Sequence, residues 1–402
     1  MLQNPSHRPP LARLLDLGDR MLRAVGIQRN PLSPEAIKRE AAAAMKLGDF
    51  GPPDYEEGLA LYCRSAEEDG RLDIVGREIV RRAVRRVLSN RLLLIEHRKS
   101  NPELPELIPP VIVMGLPRTG TTFLHRLLAE DPQAFGPPAW LVWRPLPRLS
   151  GADRRREITI RALEGMRQLS PQLDFKHYQE ADEPEECYHL LDPSFRGPGL
   201  ATLCQATSYF QWAGEQDLRP AYGMYHEYLR IIQREAPGRR LTLKAPLHTP
   251  YLEEILAELP GVRFVQAHRD PLEVAGSLAS LCYSMFAMTS TRVDARECGE
   301  VALQLLRWMA ARNLEQRQRG SLPVVDVQYT DLVRDPVSTV RQVHEAHGLD
   351  WTLEIEEAVR DGAAKRPQQR QGTHSYDLAD FGLSEEAIND AVGDHAAQVM
   401  AG

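Results

Sequence analysis

The stretch VIVMGLPRTGTTFLHRLL, residues 111–128, has the pattern of a buried strand, a short loop and the first turns of a helix. The apolar run ends at Gly115, and leucines at helical spacing follow Thr121. Backbone N–H groups at the start of such a helix, together with the helix dipole, favour a bound anion. Gly115 and Gly120 allow the backbone to bend and to approach that ligand closely. The stretch therefore predicts an anion-binding loop in an α/β fold.

This loop comes close to the Walker A pattern, G-x-x-x-x-G-K-[ST], but Thr121 occupies the lysine position. Because that lysine reaches the β and γ phosphates, its absence argues against an ordinary ATPase. The positive charge lies within the loop instead, at Arg118, a residue type that binds oxyanions in a bidentate manner. We therefore expect an anion of two linked tetrahedral groups rather than a magnesium triphosphate. A purely structural strand–turn–helix joint is the less favoured interpretation.

Composition narrows the class of protein. The chain has 402 residues, a net charge of −7 and a pI of about 6.0, so its bulk charge predicts no nucleic-acid partner. Its five cysteines lack C-x-x-C spacing and predict neither a disulfide framework nor a metal site. We see no signal peptide and no apolar run of about 18 residues. A reducing, cytoplasmic setting is the expectation.

The chain divides into two predicted parts. Residues 1–105 are expected to form a helical N-terminal extension packed on the main domain, which spans residues 106–402. Residues 11–25 form an amphipathic helix, expected either to pack on the body of the protein or to make a weak contact with a membrane surface. Alternating strands and helices in the main domain predict an α/β fold with a P-loop-like central parallel sheet flanked by helices. Residues 135–149 are expected to be loop-like.

Polar residues follow several predicted strands. The loop at 115–122 follows the first strand, and Lys244, Arg269 and Tyr329 lie at or just beyond the ends of later ones. Ligands bind parallel sheets at the carboxyl ends of the strands, so we expect these residues to converge. Lys244 would supply a point charge to an anion, and His248, in the same segment LKAPLHTP, is a general-base candidate. A surface turn is the alternative for both.

Two further segments carry candidate residues. Arg269 and Ser277, in HRDPLEVAGSLASL, are placed to hold a second phosphate, and the segment lacks the Asn of a kinase catalytic loop. A dense polar segment is expected either to serve the acceptor, as base or hydrogen-bond partner, or to be a solvated helix start. It contains Asp182, Glu183, Glu185 and Glu186 together with His177 and His189. Because its spacing does not match H-E-x-x-H, no metal is expected.

Three of these segments together resemble a known family. GLPRTGTTFLHRLLAEDP resembles the 5′-phosphosulfate loop of sulfotransferases that use 3′-phosphoadenosine 5′-phosphosulfate (PAPS). FVQAHRDPLEVAGSLASL resembles their 3′-phosphate segment, and VVDVQYTDLVRDP resembles the segment whose Tyr touches the adenine. The resemblance runs from near residue 36 to 383 and is strongest to a bacterial group with the PRTGTT loop and a K-x-P-x-H segment.

The resemblance implies a PAPS-dependent sulfotransferase, with 3′,5′-ADP as a product and no metal. It assigns the 5′-phosphosulfate to Arg118, Thr119, Gly120, Thr121 and Thr122, the 3′-phosphate to Arg269 and Ser277, and the adenine to Tyr329. Arg370-Gln371-Gly372 is a weak counterpart of a late segment that closes over the 3′-phosphate in cytosolic relatives. Some relatives place a catalytic Glu after the first helix, where this chain has FGPPAWL and no acid. His248 is therefore the first choice for the base, with Glu183 or Glu186 as runner-up, and Arg118 and Lys244 would stabilise the leaving oxygen.

Two other functions remain open from the sequence. A P-loop kinase or NTPase would use Asp326 as its Walker B carboxylate, and a non-catalytic anion-binding protein would keep the fold alone. The acceptor is expected to be a hydroxyl of a small molecule, a lipid or a glycan, and a homodimer is left open. Five aromatic residues are expected to line an acceptor pocket or to lie in the core: Trp140, Trp143, Trp212, Tyr209 and Tyr222.

Overall fold

The computed structural model describes residues 8, 10–24, 31–100, 103–176, 178–320, 322–365 and 377–400. Helices occupy most of these residues. They are α1 Pro10–Ala24, α2 Pro34–Met45, α3 Glu56–Glu68, α4 Ile74–Ser100, α5 Thr121–Leu128, α6 Ala139–Trp143, α7 Arg155–Leu169, α8 Leu173–Lys176, α9 Thr207–Gly214, α10 Arg219–Ile232, α11 Leu252–Glu258, α12 Pro271–Phe286, α13 Ala295–Arg319, α14 Tyr329–Arg334, α15 Pro336–Ala346, α16 Leu353–Lys365 and α17 Glu385–Met400. Among them, none combines the length and the apolar composition that crossing a bilayer requires.

A five-stranded parallel sheet lies at the centre of the protein. Its strands are β1 Val111–Gly115, β2 Ala134–Phe135, β3 Arg240–Lys244, β4 Arg263–His268 and β5 Val324–Gln328, in the order β2-β3-β1-β4-β5. The chain leaves β1 in one direction for β2 and β3 and crosses to the other side for β4 and β5. This topological switch point above β1 is where such sheets bind ligands. The predicted α/β fold is confirmed.

Both faces of the sheet are covered, which explains why its central strands are apolar throughout. Ile112 and Met114 of β1 pack on one face with side chains of α10 and α11. Val111 and Val113 point the other way, into a second cluster that includes leucines of α5 and residues of α15 and α16. This alternation fixes the register of β1 between β3 and β4 and holds the loop after it at the carboxyl edge of the sheet.

The N-terminal helices share a core with the middle of the chain. Side chains of α2, α3 and α4 pack together with Phe195, Leu200, Cys204 and Tyr209 in one apolar cluster. Helix α2 begins as its sequence predicts: Ser33 is the N-cap, its Oγ accepts from the backbone N–H of Ala36, and Pro34 follows at the first helical position.

The segment expected to be loop-like, 135–149, is partly ordered as regular structure. It contains the second residue of β2 and all of α6. Strand β2 has two residues, too few for a periodic signal, and it forms by pairing with Arg240 and Leu241 of β3. Helix α6 follows Pro138, and its first N–H groups donate to the carbonyls of Glu183 and Ala181. Both elements therefore depend on long-range partners.

Candidate active site

The loop between β1 and α5 contains three residues with positive φ angles, one of which is not glycine. Gly115 and Gly120 have φ angles of +138° and +91°, and Arg118, a non-glycine residue, has φ +73°. A left-handed residue with a Cβ costs on the order of 1–2 kcal/mol, and such strain is typical of ligand sites. Thr119 stabilises the turn, because its buried Oγ1 donates to the carbonyl of Leu116 at 2.7 Å.

Tyr329 lies directly against this loop. A Cβ placed on Gly120 would lie 2.6 Å from Cδ2 of Tyr329, so glycine is required there by contact as well as by its φ angle. The guanidinium of Arg269 lies 4.3 Å from the centre of the Tyr329 ring. Arg269 also donates from Nη1 to the carbonyl of Arg118 at 3.4 Å and from Nε to Glu273 at 2.7 Å. The structure thus brings Gly120, Arg269 and Tyr329 together, as their strand-end positions predict.

Arg118 links this loop to the side of α12. Its Nε donates to Oγ of Ser277 at 2.9 Å, and its Nη1 donates to the carbonyl of Lys176 at 2.7 Å. Lys176, on α8, donates from Nζ to Oγ of Ser284 at 2.8 Å. Burial, followed by the nearby Arg118 charge, lowers the pKa of Lys176 to about 8. Sequence reasoning missed Lys176, because nothing in its local pattern shows that α8 folds over α12.

Lys244 and Glu186 form a buried ion pair beneath the loop. The two side chains meet at 2.8 Å between Nζ and Oε1, and their exposed fractions are 2% and 16%. Lys244 Nζ also lies 3.3 Å from Oγ1 of Thr122, in the first turn of α5. The carboxylate of Glu186, the ammonium group of Lys244 and the hydroxyl of Thr122 are therefore joined by consecutive contacts.

His248 does not lie in the cavity, so its position does not agree with the predicted role of general base. Its side chain is completely buried, and burial lowers its pKa to about 3. Its Nδ1 lies 2.9 Å from the Tyr222 hydroxyl and its Nε2 lies 3.2 Å from Cys187 Sγ. Because Cys187 Sγ also donates to the carbonyl of Lys244 at 3.4 Å, this network ties the Glu186 segment to β3. His248 thus contacts Tyr222 and Cys187 in the core rather than the cavity.

The acidic segment separates into different environments. Glu183 and Glu186 line the cavity, and Glu183 forms an ion pair with Arg126 at 3.5 Å. Asp182 is exposed and pairs with Arg156. Glu185 is buried and accepts from the backbone N–H of Glu186. The ring of His189 packs 4.1 Å from that of Tyr188, whereas His177 lies outside the described residues, as do Arg370, Gln371 and Gly372.

A cavity of about 950 Å³ joins the loop to an apolar chamber. At one end it is lined by Arg118, Thr121, Thr122, Arg269 and Tyr329, and at the other by apolar side chains of α9, α12 and α13. The chamber side chains include Phe210, Leu278, Leu281, Met285, Phe286 and Val301. The five aromatic residues considered from sequence lie elsewhere: Trp143, Tyr209 and Tyr222 are buried in the core, and Trp140 and Trp212 pack against it. The core interpretation is correct for them.

The nucleotide-triphosphatase alternative loses its candidate carboxylate. Asp326, on β5, does not line the cavity and accepts from Arg317 at 2.7 and 2.6 Å and from His268 at 2.6 Å. Burial alone would raise the pKa of Asp326, but these two partners outweigh it and lower the value to about 2. Within the described residues, no three His, Cys, Asp or Glu side chains are grouped so as to hold a metal ion.

Comparison with known proteins settles the family. The model of the sulfotransferase family matches residues 109–353, more than half of the chain. The chain belongs to the sulfotransferase family. This confirms the resemblance that the loop, the Arg269–Ser277 segment and the Tyr329 segment indicate.

Curated and solved sulfotransferases show how far the similarity extends. The omega-hydroxy-beta-dihydromenaquinone-9 sulfotransferases Stf3 of Mycobacterium bovis and Mycobacterium tuberculosis are 24% identical over 250 residues, which cover 60% of this chain and 63% of theirs. The crystal structure of sulfotransferase STF9 from Mycobacterium avium matches with a TM-score of 0.82 at 26% identity, covering 92% of this chain and 98% of that one. STF1 from Mycobacterium tuberculosis matches at 0.77 and 28%, covering 91% and 100%.

Proposed function

We propose that this sulfotransferase moves a sulfuryl group from PAPS to the hydroxyl of a lipid-like acceptor by in-line transfer. One observation supports this most strongly. A single cavity is lined by the glycine loop with its Arg118, by Arg269, by Glu186 of the Lys244–Glu186 ion pair and by apolar side chains of α9, α12 and α13. The two arginines suit a donor with two separate anionic groups. The ion pair suits the charge that develops during transfer, and the apolar side chains suit an apolar acceptor.

The donor end fits a nucleotide with two separate phosphate positions. The N–H groups at the start of α5, with Thr121 and Thr122, would hold the 5′-phosphosulfate. Arg269 and Ser277 would hold the 3′-phosphate, and Tyr329 would lie beside the adenine. Because Arg118 is hydrogen-bonded to Ser277 in this structure, we propose that it moves from Ser277 toward the transferring group when the donor binds.

We assign the transfer step to the ion pair beneath the loop. The acceptor oxygen forms a bond to sulfur while the bond from sulfur to the bridging oxygen breaks, and the electron pair stays on the phosphate of 3′,5′-ADP. Lys244 would stabilise the charge on that oxygen, an effect worth roughly 2.7–4 kcal/mol by analogy with one oxyanion-hole donor. Glu186 would take the hydroxyl proton, replacing His248 as our choice of base, with Glu183 as the alternative within the same cavity.

The apolar chamber supports an acceptor with an extended apolar body. The curated relatives are named for a menaquinone-derived acceptor, and the chamber of this chain offers leucine, methionine and phenylalanine side chains to a molecule of that kind. Transfer of such a body out of water is favourable by about 0.8 kcal/mol for each buried CH₂ group. We retain a cytoplasmic location and a homodimer as predictions only.

Transfer of labelled sulfate tests the proposal. The full chain is incubated with sulfur-labelled PAPS, EDTA and a series of primary alcohols, from hexanol to hexadecanol and geranylgeraniol. We expect labelled sulfate esters with the long alcohols, with hexanol the poorest acceptor. Binding of 3′,5′-ADP without transfer to any alcohol would favour a non-catalytic binding protein. Magnesium-dependent turnover of ATP would favour the kinase alternative.

A further inference from the structure

Helix α1 is attached to the protein by its polar side. The side chains of Asp16 and Asp19 are 8% and 5% exposed, and they lie over a small polar pocket whose lining includes Glu67 and Asp73. Asp19 forms an ion pair with Arg77 at 3.3 Å, and Arg77 in turn pairs with Glu67 at 3.0 Å. Buried pairs of this kind fix an orientation, because removing one partner leaves a buried charge.

The apolar side of α1 consequently faces solvent. Leu14 and Met21 are 66% and 65% exposed, and Leu15 and Leu17 are 51% and 52% exposed. The sequence left open whether this side packs on the body of the protein or contacts a membrane surface, and in the structure these four side chains do not pack on the body. Large apolar side chains gathered on one exposed surface mark an interaction site more often than single exposed residues do. We call these four residues the α1 apolar face.

Charge on this segment favours an anionic partner. The first 30 residues contain five arginines and two aspartates, a net charge of +3 in a chain whose total is −7. Both aspartates are buried, and so is Arg8, which pairs with Asp73, whereas Arg13 is exposed. An apolar helix face with basic residues is the pattern of a helix that lies in a membrane interface.

The start of α1 is anchored close to the apolar chamber. Arg8, two residues before the helix, donates from Nη2 to the carbonyls of Ala287 and Met288 at 3.1 and 2.7 Å and pairs with Asp73 at 2.8 Å. Those carbonyls directly follow Phe286, which lines the apolar chamber. Arg8, just before α1, is therefore held at the end of α12, whose side chains line part of the chamber.

We propose that the α1 apolar face docks on the surface of an anionic lipid bilayer. Four large apolar side chains would insert among the lipids, and the exposed Arg13 would contact the head groups. The helix would lie in the interface without crossing the bilayer. A lipid acceptor would then be available beside the chamber, a consequence that rests on the proposed function, whereas the docking itself does not.

Vesicle flotation of the full chain, without donor or acceptor, tests this docking. Vesicles of phosphatidylcholine with phosphatidylglycerol should carry the protein upward, and vesicles of phosphatidylcholine alone should carry much less. A triple variant, Leu14→Gln, Leu17→Gln and Met21→Gln, keeps helix propensity and should reduce the bound fraction at least about tenfold. The matched control is Leu353→Gln, on α16, which is 70% exposed and should float like the wild type.

Three results would overturn the proposal. The first would be failure of the wild-type protein to bind anionic vesicles, a result that does not depend on the folding of any variant. The second would be equal binding of the triple variant and the wild type to anionic vesicles. The third would be a wild-type protein that sediments as a dimer and does not bind vesicles, together with a triple variant that sediments as a monomer. The α1 apolar face would then join two copies of the chain. Failure of sulfate transfer would leave all three results unaffected.

Discussion

Glu186→Gln separates proton transfer from the other roles of the ion pair. The amide oxygen of glutamine still accepts a hydrogen bond from Lys244, now 2.8 Å from the carboxylate, so the loop geometry is retained. What disappears is the carboxylate that we propose as the base for the acceptor hydroxyl. A positioned base contributes about 10²–10⁴-fold, which corresponds to roughly 2.7–5.4 kcal/mol of transition-state free energy.

The burial of the pair sets a second expectation. Lys244 is only 2% exposed, so neutralising its partner weakens a charge-assisted hydrogen bond inside the protein. We expect the free energy of unfolding to fall by about 1–3 kcal/mol. The assay is therefore kcat with saturating PAPS and acceptor, together with urea unfolding and the affinity for 3′,5′-ADP. The affinity should change by less than about threefold, because neither proposed phosphate position involves Glu186.

Glu183→Gln is the matched control. Glu183 lines the same cavity but is 31% exposed and pairs with Arg126 at 3.5 Å. Its kcat should remain within about tenfold of wild type, as expected for a partly exposed pair of modest strength. A Glu186→Gln protein with near-normal kcat would remove Glu186 from the role of base. A large loss confined to Glu183→Gln would transfer that role to Glu183.

Three further predictions concern the loop and the buried histidines. Gly120→Ala should weaken 3′,5′-ADP binding at least about tenfold, because its Cβ would meet Tyr329 at 2.6 Å and its φ is +91°. Gly165→Ala, in open space on α7, should bind normally in the same calorimetric titration. His248→Ala should lower the free energy of unfolding by roughly 2–4 kcal/mol through its two lost buried hydrogen bonds, and a loss of kcat with unchanged urea unfolding would instead restore it as the base. Burial lowers the pKa of His125 and His248 to about 3 and of His395 to about 4, from about 6.5 in the unfolded chain. Protonation of these histidines therefore favours the unfolded chain. The free energy of unfolding should be greatest above pH 6.5 and should fall below that pH by up to about 1.4 kcal/mol per pH unit for each histidine. Urea unfolding curves that are the same at pH 7.5 and 4.5 would contradict this.

The fold and the meeting of the loop with Arg269 and Tyr329 could be predicted from sequence because they depend on local patterns. The strand, the two glycines and the helix start at 111–128 are contiguous, and apolar runs mark β3, β4 and β5. A parallel sheet then brings its strand ends to one edge, which is why Arg269 and Tyr329 meet the loop. The short β2 strand and α6 escaped prediction, because pairing with distant residues determines them.

The acceptor side was less accessible, because it depends on which way individual side chains point. His248 lies near a strand end in sequence, yet its ring turns into the core toward Tyr222 and Cys187. Neighbouring acidic residues of one segment lie in different environments. Our choice of Glu186 over Glu183 as the proposed base therefore depends on knowing where Lys244 lies. Periodicity likewise predicts the apolar residues of α12 but does not distinguish those that line a cavity from those in the core. The outward apolar face of α1 results from buried ion pairs that a sequence pattern does not reveal.

Calorimetric titration with 3′,5′-ADP in the presence of EDTA tests the central claim most directly. The claim is that the loop and the Arg269–Ser277 segment form two phosphate positions for one nucleotide. We predict binding without metal, at least about tenfold tighter than that of 5′-AMP, because the missing 3′-phosphate would lose a charge-assisted contact worth roughly 1.5–3 kcal/mol. Arg269→Ala should remove that difference while leaving 5′-AMP binding nearly unchanged. Equal affinity for the two nucleotides, or no binding of 3′,5′-ADP, would contradict the account.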